Sequence, residues 1–375
     1  MTPRIKTRVL MLSDTHGLGF QDNKNPHKSA DVAIHCGDLT NDSKLHDFEQ
    51  AIQLLNEIDA PLKLVIAGNH DFSLDDPAFQ QKINEANRLA QEDLSQNIKE
   101  EYGDYGDARR LFEEARDKGI QFLEEGSYQF SLDNGALLRV YASPYTPANS
   151  GSSDWGFQYN GAHEFAIENG TDIVVTHGPP HGIMDMTTEK QRVGCPQLFA
   201  AVARAQPRLH CFGHVHNSWG AKLVAWRPTI SDHPSHFSDI DHGKSLVIES
   251  LASLKGSKFE AAEETKTRQN KAERCSLERC CSTSHCDGDE RPLGPGETLF
   301  VNAALMAADG ELSQHAWLVD IELEPEKGKT PVDTVEPHYG LKGIRQAAST
   351  KQKQKRKGDM YLSEEQDSRQ KRPCR

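Results

Sequence analysis

The sequence predicts an α/β protein whose strands form a mixed sheet, or two stacked sheets, with helices packed against them. Three observations lead there. Short apolar runs alternate with segments whose apolar residues recur at helical spacing. Some apolar runs follow one another with no helical segment between them, as a purely parallel sheet would require. Many of the runs end in Asp, Asn or His beside a glycine.

The elements follow in chain order. Residues 8–12 (RVLML) form a short apolar strand that stops at Ser13-Asp14, and residues 30–36 (ADVAIHC) form a second that stops at Gly37-Asp38. Residues 45–58 place Leu45, Phe48, Ala51, Leu54, Leu55 and Ile58 on one helical face, and Pro61 then ends the helix. LKLVIA, residues 62–67, is a buried strand. Residues 76–118 read as helices joined by EYGDYGD. Residues 128–140 read as a hairpin turning at Asp133-Asn134-Gly135, where Asn-Gly supplies positive φ angles. Strands are expected at 171–180 and 207–216, with a short helix at 196–205 between them. TLFVNAAL (298–305) and AWLVDIEL (316–323) close the series. Residues 255–296 and 326–375 are polar, with no sustained apolar face, and are expected to be mobile or disordered.

The strand ends carry the chemistry. Asp14 and His16 form D-x-H, Asp38 lies in GD, Asn69 and His70 lie in GNHD, His177 lies in HGPP, and His214 and His216 form H-x-H. Residues i and i+2 of an extended chain project to one side, so each pair can aim at one point. In α/β sheets ligands bind at the carboxyl edge of the strands. With His70 set aside, the set is two Asp, one Asn and four His, without a thiolate. That is too many donors for one tetrahedral zinc, and it fits two ions sharing a carboxylate. A mixed O/N shell suits Mn, Fe or Zn. Gly37, Gly68 and Gly213 each precede a ligand, where the chain must turn or approach closely.

This order and spacing resemble the calcineurin-like metallophosphoesterase superfamily. Its five motifs stand here as SDTHG, CGDLT, AGNHD, VTHGPP and FGHVH. ASPYTP, WGFQY and LFVNAAL further resemble the branch near the class III cyclic-nucleotide phosphodiesterases and the related metallophosphoesterase-domain brain proteins. The resemblance covers roughly residues 8–323. It implies a four-layer αββα sandwich of two mixed sheets flanked by helices. A domain is therefore expected at 1–325. Within it, residues 227–296 have no counterpart in the resemblance and are expected to be a flexible insertion. The basic tail at 326–375 matches nothing and is expected to be disordered from its composition. Asp14, His16, Asp38 and His216 would bind one metal, and Asp38, Asn69, His177 and His214 the other, with Asp38 bridging. His70 would act as proton donor or charge stabiliser, with Asp71 orienting it. A metal-bridging hydroxide would attack phosphorus in line.

Bulk composition narrows the partners. The net charge is -13 although residues 326–375 hold thirteen Lys/Arg against seven Asp/Glu, so the body before them is strongly acidic. An acidic body is a poor nucleic-acid binder. No apolar run reaches the roughly 18–20 residues that span a bilayer. The expected substrate is therefore a small phosphorylated molecule, a cyclic nucleotide being one candidate. A nuclease of the same superfamily and a non-catalytic metal-binding scaffold remain the alternatives. The N-terminus lacks a signal-peptide pattern. Cys36, Cys195 and Cys211 read as reduced core thiols, so a cytoplasmic location is expected, with KQKQKRK (351–357) as a candidate nuclear signal. Cys-rich CSLERCCSTSHC (275–286) reads as a flexible, oxidisable segment. His181 and Asp185 are candidates for the pocket wall, and Asn302 for either a pocket amide or a strand-end brace.

Overall fold

The computed structural model describes residues 4–20, 25–91, 93–148, 155–256 and 260–326. The basic tail, with its candidate nuclear signal, lies outside the described residues.

The first half of the fold runs β1 (Ile5–Leu12), β2 (Val32–His35), α1 (Leu45–Asn56), β3 (Leu62–Val65), α2 (Asp76–Ala90), α3 (Ser95–Tyr102), α4 (Asp107–Glu114) and β4 (Ile120–Phe122). Next come β5 (Gly126–Ser131), β6 (Ala136–Ser143), the short pair β7 (Thr146–Pro147) and β8 (Gln158–Tyr159), β9 (Ile173–Thr176), α5 (Pro196–Ala205) and β10 (Leu209–Phe212). The chain closes with β11 (Gly220–Ala225), β12 (Leu246–Ser250), α6 (Leu251–Lys255), α7 (Ala262–Glu278), β13 (Cys280–Ser284), β14 (Glu297–Asn302) and β15 (Ala316–Pro325).

The strands run β12-β11-β14-β10-β9-β6-β15-β1-β2-β3-β4, with β13 beside β15 and β5 beside β6. β15 joins two halves. Its first residues pair antiparallel with β1, and Glu324 and Pro325 pair with Leu137 and Ala136 of β6. β1 to β4 are parallel to one another, and so are β6, β9, β10 and β14.

Alternation along the strands sorts side chains into three apolar layers. Val9, Met11, Ile34, Leu64 and Ile66 of the first half form one cluster with Val140, Ile173, Val175, Leu209, Cys211 and Val301 of the second. The intervening Leu10, Leu12, Ala33 and Val65 pack instead with Phe48, Leu54 and Leu55 of α1 and Phe112 of α4. Val174, Phe212 and Phe300 pack with Leu198, Phe199 and Val202 of α5. Two sheets thus face each other with helices outside, the αββα order expected. Every strand residue in these sets is at most 1% exposed, so each large side chain contributes about 1.5–3 kcal/mol of burial.

Two elements follow local chemistry closely. α1 buries Phe48, Ala51, Leu54 and Leu55, and Phe48 meets Phe112 edge-on at 6.0 Å. The β5–β6 hairpin turns where expected, with Gly135 at φ 87 and its N–H donating to the Leu132 carbonyl.

Residues 255–296 differ from expectation. The described part holds α7 and β13, and β13 pairs in parallel with β15 from Cys280↔Ala316 to Ser284↔Asp320. Cys275, Cys280, Cys281 and Cys286 are buried rather than displayed. α7 has one buried residue, Cys275, and is tied down by polar anchors: Lys271 to Glu249 of β12 at 2.5 Å and Arg268 to the Leu254 carbonyl of α6 at 3.3 Å. Strand addition uses backbone groups, so it leaves no apolar rhythm in the sequence.

Candidate metal centre

The polar residues at the strand ends meet at one place. Asp14 and His16 follow β1, Asp38 follows β2, Asn69 and His70 follow β3, His177 follows β9, and His214 and His216 follow β10. All five strands point their carboxyl ends the same way within their halves, so the two halves supply opposite walls of one site.

The loops that do this are strained and crowded. Asp14, His16, Asp38 and His214 have φ of 56, 46, 52 and 66, the left-handed region that costs a non-glycine residue about 1–3 kcal/mol when held in place. Backbone bonds hold them: the Asp14 N–H donates to Gly37 O (3.0 Å), His16 N–H to Asp38 O (3.0 Å) and Gly213 N–H to His177 O (3.0 Å). A Cβ on Gly68 would stand 2.3 Å from Asp38 Oδ1, and one on Gly213 would stand 2.0 Å from Asp14 Oδ2. Both glycines are there because a carboxylate occupies the space a side chain would need.

Ligand-type atoms converge in three groups, each within 4.8 Å: Asp14, His16 and His216; His16, Asp38 and His70; Asp38, His177 and His214. His16 Nε2 lies 3.4 Å from His216 Nε2, and His216 Nε2 lies 3.2 Å from Asp14 Oδ1. Asp38 Oδ2 lies 3.3 Å from His177 Nε2 and 3.8 Å from His16 Nε2, so one carboxylate addresses both ends of the cluster. Asn69 Oδ1 is 3.0 Å and His214 Nδ1 3.2 Å from His177 Nε2. All seven residues proposed as ligands are therefore brought together.

The donor set suits cations. His177 Nδ1 donates to the Cys36 carbonyl at 2.9 Å, which leaves the lone pair of the neutral ring on Nε2. That lone pair faces the oxygens of Asn69 and Asp38, and electron-rich atoms aimed at each other call for positive charge between them. The field agrees. Burial opposes charging His177, yet Asp38 and Asp14 push its pKa up to about 9. Burial likewise opposes charging Asp38, and His177, His70 and His16 hold its carboxyl well below the usual range. Burial and the neighbouring His177 push His214 down to about 4. The residues present can hold metal, with Asp38 placed to be shared.

Asp71 has a different place from the one expected. Its buried carboxylate accepts from the N–H groups of Gly68, Leu39 and Thr40 and from the Thr40 hydroxyl, tying the Asp38 and Asn69 loops together. The His70 ring is held instead by the Asn41 carbonyl, 2.6 Å from Nδ1. A backbone carbonyl can come from any residue, so no side-chain motif announces it.

Other supporting residues also carried little signal. His35 donates to the Thr15 hydroxyl through Nε2 (3.0 Å) and accepts the Gly37 N–H through Nδ1 (3.3 Å), bracing both first-half loops from beneath. Asn302 donates to the Val215 carbonyl (3.0 Å), which sits between His214 and His216, so its role is to brace the ligand loop. Asp185 is fully buried and holds Gly182 N–H and the Arg192 guanidinium, away from the pocket wall where it was expected.

A cavity of about 390 Å³ opens beside His214 and His216, lined further by Pro147, Thr187, Thr188, Val193 and Asn217. No Lys or Arg lines it among the described residues. No helix among those residues is long and apolar enough to cross a membrane.

Comparison with known proteins agrees with this site. A family model described as calcineurin-like phosphoesterase matches residues 7–218, a span that includes every candidate ligand. Metallophosphoesterase domain-containing protein 1 of Homo sapiens is 32% identical over 222 residues, 57% of this chain and 62% of that protein. A UPF0046 protein of Caenorhabditis elegans is 28% identical over 237 residues, 60% of this chain and 55% of that protein. The chain thus spans less than two thirds of the length of these curated relatives. Among solved structures, a purple acid phosphatase from Lupinus luteus seeds aligns at a TM-score of 0.32 and 12% identity, over 60% of this chain and 40% of that one.

Proposed function

The chain belongs to the calcineurin-like phosphoesterase family, and from that premise we propose that it is a dinuclear-metal-dependent phosphodiesterase acting on a small phosphorylated molecule. One observation carries the reading: Asp38 faces His177 and His16 at once, joining the ligand groups of the two halves. Two ions bound there would supply Lewis acidity toward the phosphoryl oxygens and a water acidified to act as nucleophile near neutral pH. Asp14, His16, Asp38 and His216 would hold one ion, and Asp38, Asn69, His177 and His214 the other. Mn, Fe and Zn all suit this donor set. His70 presents Nε2 to the site and can give a proton to the leaving oxygen.

The cavity supports a diester over a monoester. A monoester carries a second negative charge, and among the described residues the lining of this cavity offers no Lys or Arg to meet it. Hydroxyl, amide and small apolar groups suit the uncharged organic part of a small ester, and a cyclic nucleotide belongs to that class. The acidic body disfavours a long polyanion such as DNA or RNA. The test is turnover of bis(p-nitrophenyl) phosphate and p-nitrophenyl phosphate with added Mn, for the natural chain and His214→Ala. Diester turnover that falls at least a hundredfold in the variant is expected. Full metal content without turnover of either ester overturns the enzyme reading in favour of a scaffold.

A further inference from the structure

Trp155 stands outside the metal-binding set yet is built into the site. Its ring lies against that of His70, centroids 4.1 Å apart and planes at 35°. The segment that carries it is fastened to the loop that carries His70. The Gly156 N–H donates to the Asn69 carbonyl (2.9 Å), and the Phe157 N–H donates to Asp75 Oδ2 (2.6 Å). A Cβ on Gly156 would stand 2.7 Å from Phe72 Cα, so only glycine lets the two loops lie this close. The edge of His16 closes another side of the His70 ring at 4.8 Å, nearly perpendicular, and the Asn41 carbonyl fixes Nδ1. Between them these contacts settle both the plane of the imidazole and which nitrogen is free.

We propose that Trp155 is a positioning residue: its ring holds the His70 imidazole in the plane that presents Nε2 to the leaving oxygen. The proposal rests on the phosphodiesterase reading above. His70 is half-buried, and a ring tethered at one nitrogen can still swing about that bond. A flat neighbour on its face removes the swing at low entropic cost, since Trp has few rotatable bonds. In the step served, a hydroxide oxygen bonds to phosphorus as the P–O bond to the leaving group breaks, its electron pair staying on the leaving oxygen. His70, as an imidazolium whose Nδ1–H is held by the Asn41 carbonyl, gives its Nε2 proton to the leaving oxygen and is left neutral. An activated aryl oxide leaves without that proton, and a poorer leaving group needs it.

The experiment compares methyl p-nitrophenyl phosphate with methyl phenyl phosphate, with Mn present, for the natural chain, Trp155→Leu, Trp155→Phe, His70→Ala and the double variant His70→Ala/Trp155→Leu. Metal content is measured for each. Trp155→Leu is expected to lower kcat on the phenyl ester at least tenfold and on the nitrophenyl ester less than threefold, with KM little changed. Trp155→Phe restores most of the loss, and the double variant falls no further than His70→Ala. Equal losses on both esters, or none, overturn the positioning role while leaving the phosphodiesterase reading intact. If Trp155→Leu does not fold, the leaving-group dependence of Trp155→Phe decides the matter by the same criterion at smaller amplitude. A natural chain that holds metal and cleaves neither ester overturns both.

Discussion

A Cβ on Gly213 would stand 2.0 Å from Asp14 Oδ2 and 2.2 Å from the Ser13 hydroxyl, both buried side chains already held in place, Asp14 by the His214 N–H and Ser13 by the Gly37 carbonyl. Gly213→Ala is therefore expected to push Asp14 out of place and cut bound Mn by at least half, while the apolar layers stay folded. Metal analysis after dialysis, beside a circular dichroism spectrum, checks this; full metal content in a folded variant would contradict it. At this scale the sequence spoke clearly wherever the signal was a side chain at fixed spacing. Asp14-x-His16 and His214-x-His216 announced themselves because carboxylates and imidazoles bind metal through their own atoms. The Asn41 carbonyl did not, because a backbone carbonyl has no residue preference. Asn302 was legible only as a choice between a pocket amide and a brace, because its partner, the Val215 carbonyl, lies far off in the chain.

Among elements, α1 and β13 show the two extremes of legibility. α1 buries its stripe of Phe48, Ala51, Leu54 and Leu55 against β1 to β3, and helical periodicity reports that directly. β13 is held chiefly by its ladder with β15, which periodicity cannot report. Amide exchange separates an ordered β13 from the mobile segment its composition suggests. The β13 amides that donate to β15 should exchange at least a hundredfold more slowly than an unstructured peptide of the same sequence. Exchange at the peptide rate would show that the strand does not persist. The Asn-Gly hairpin between β5 and β6 lies on the legible side, since its turn needs a positive φ that few residues accept.

For the whole molecule, apolar runs with no helical segment between them made a mixed sheet or two stacked sheets plausible, but no local pattern told which strand would join the halves. The fold is also expected to weaken in acid, and His210 is one cause. Burial pushes this fully enclosed ring down to about 3, below its ordinary value near 6.5. Between those values the unfolded chain takes up a proton that the folded chain refuses. His210 costs nothing above about pH 6.5; stability then falls by about 1.4 kcal/mol per pH unit toward pH 3. His210→Leu removes that slope, and Thr176, which His210 faces at 2.9 Å, keeps its bond to the Gly178 carbonyl. Urea melts at pH 6.5 and 5.5 should show the variant losing about 1.0 kcal/mol less than the natural chain, since at pH 6.5 the unfolded ring is already half protonated. Equal losses would mean that His210 is protonated when folded.

β15 has a further consequence, for how the molecule is made. β1 lies between β2 and β15, and its partners in β15, residues 317–323, are translated some three hundred residues later. At about 5–20 residues per second, a ribosome takes roughly fifteen to sixty seconds to deliver them. Through that interval one edge of β1 has no strand to pair with, although Val9, Leu10, Met11 and Leu12 are fully enclosed in the finished protein. A transcript cut short before codon 316 would yield a product with that seam permanently open, and such a product is expected to collect in inclusion bodies.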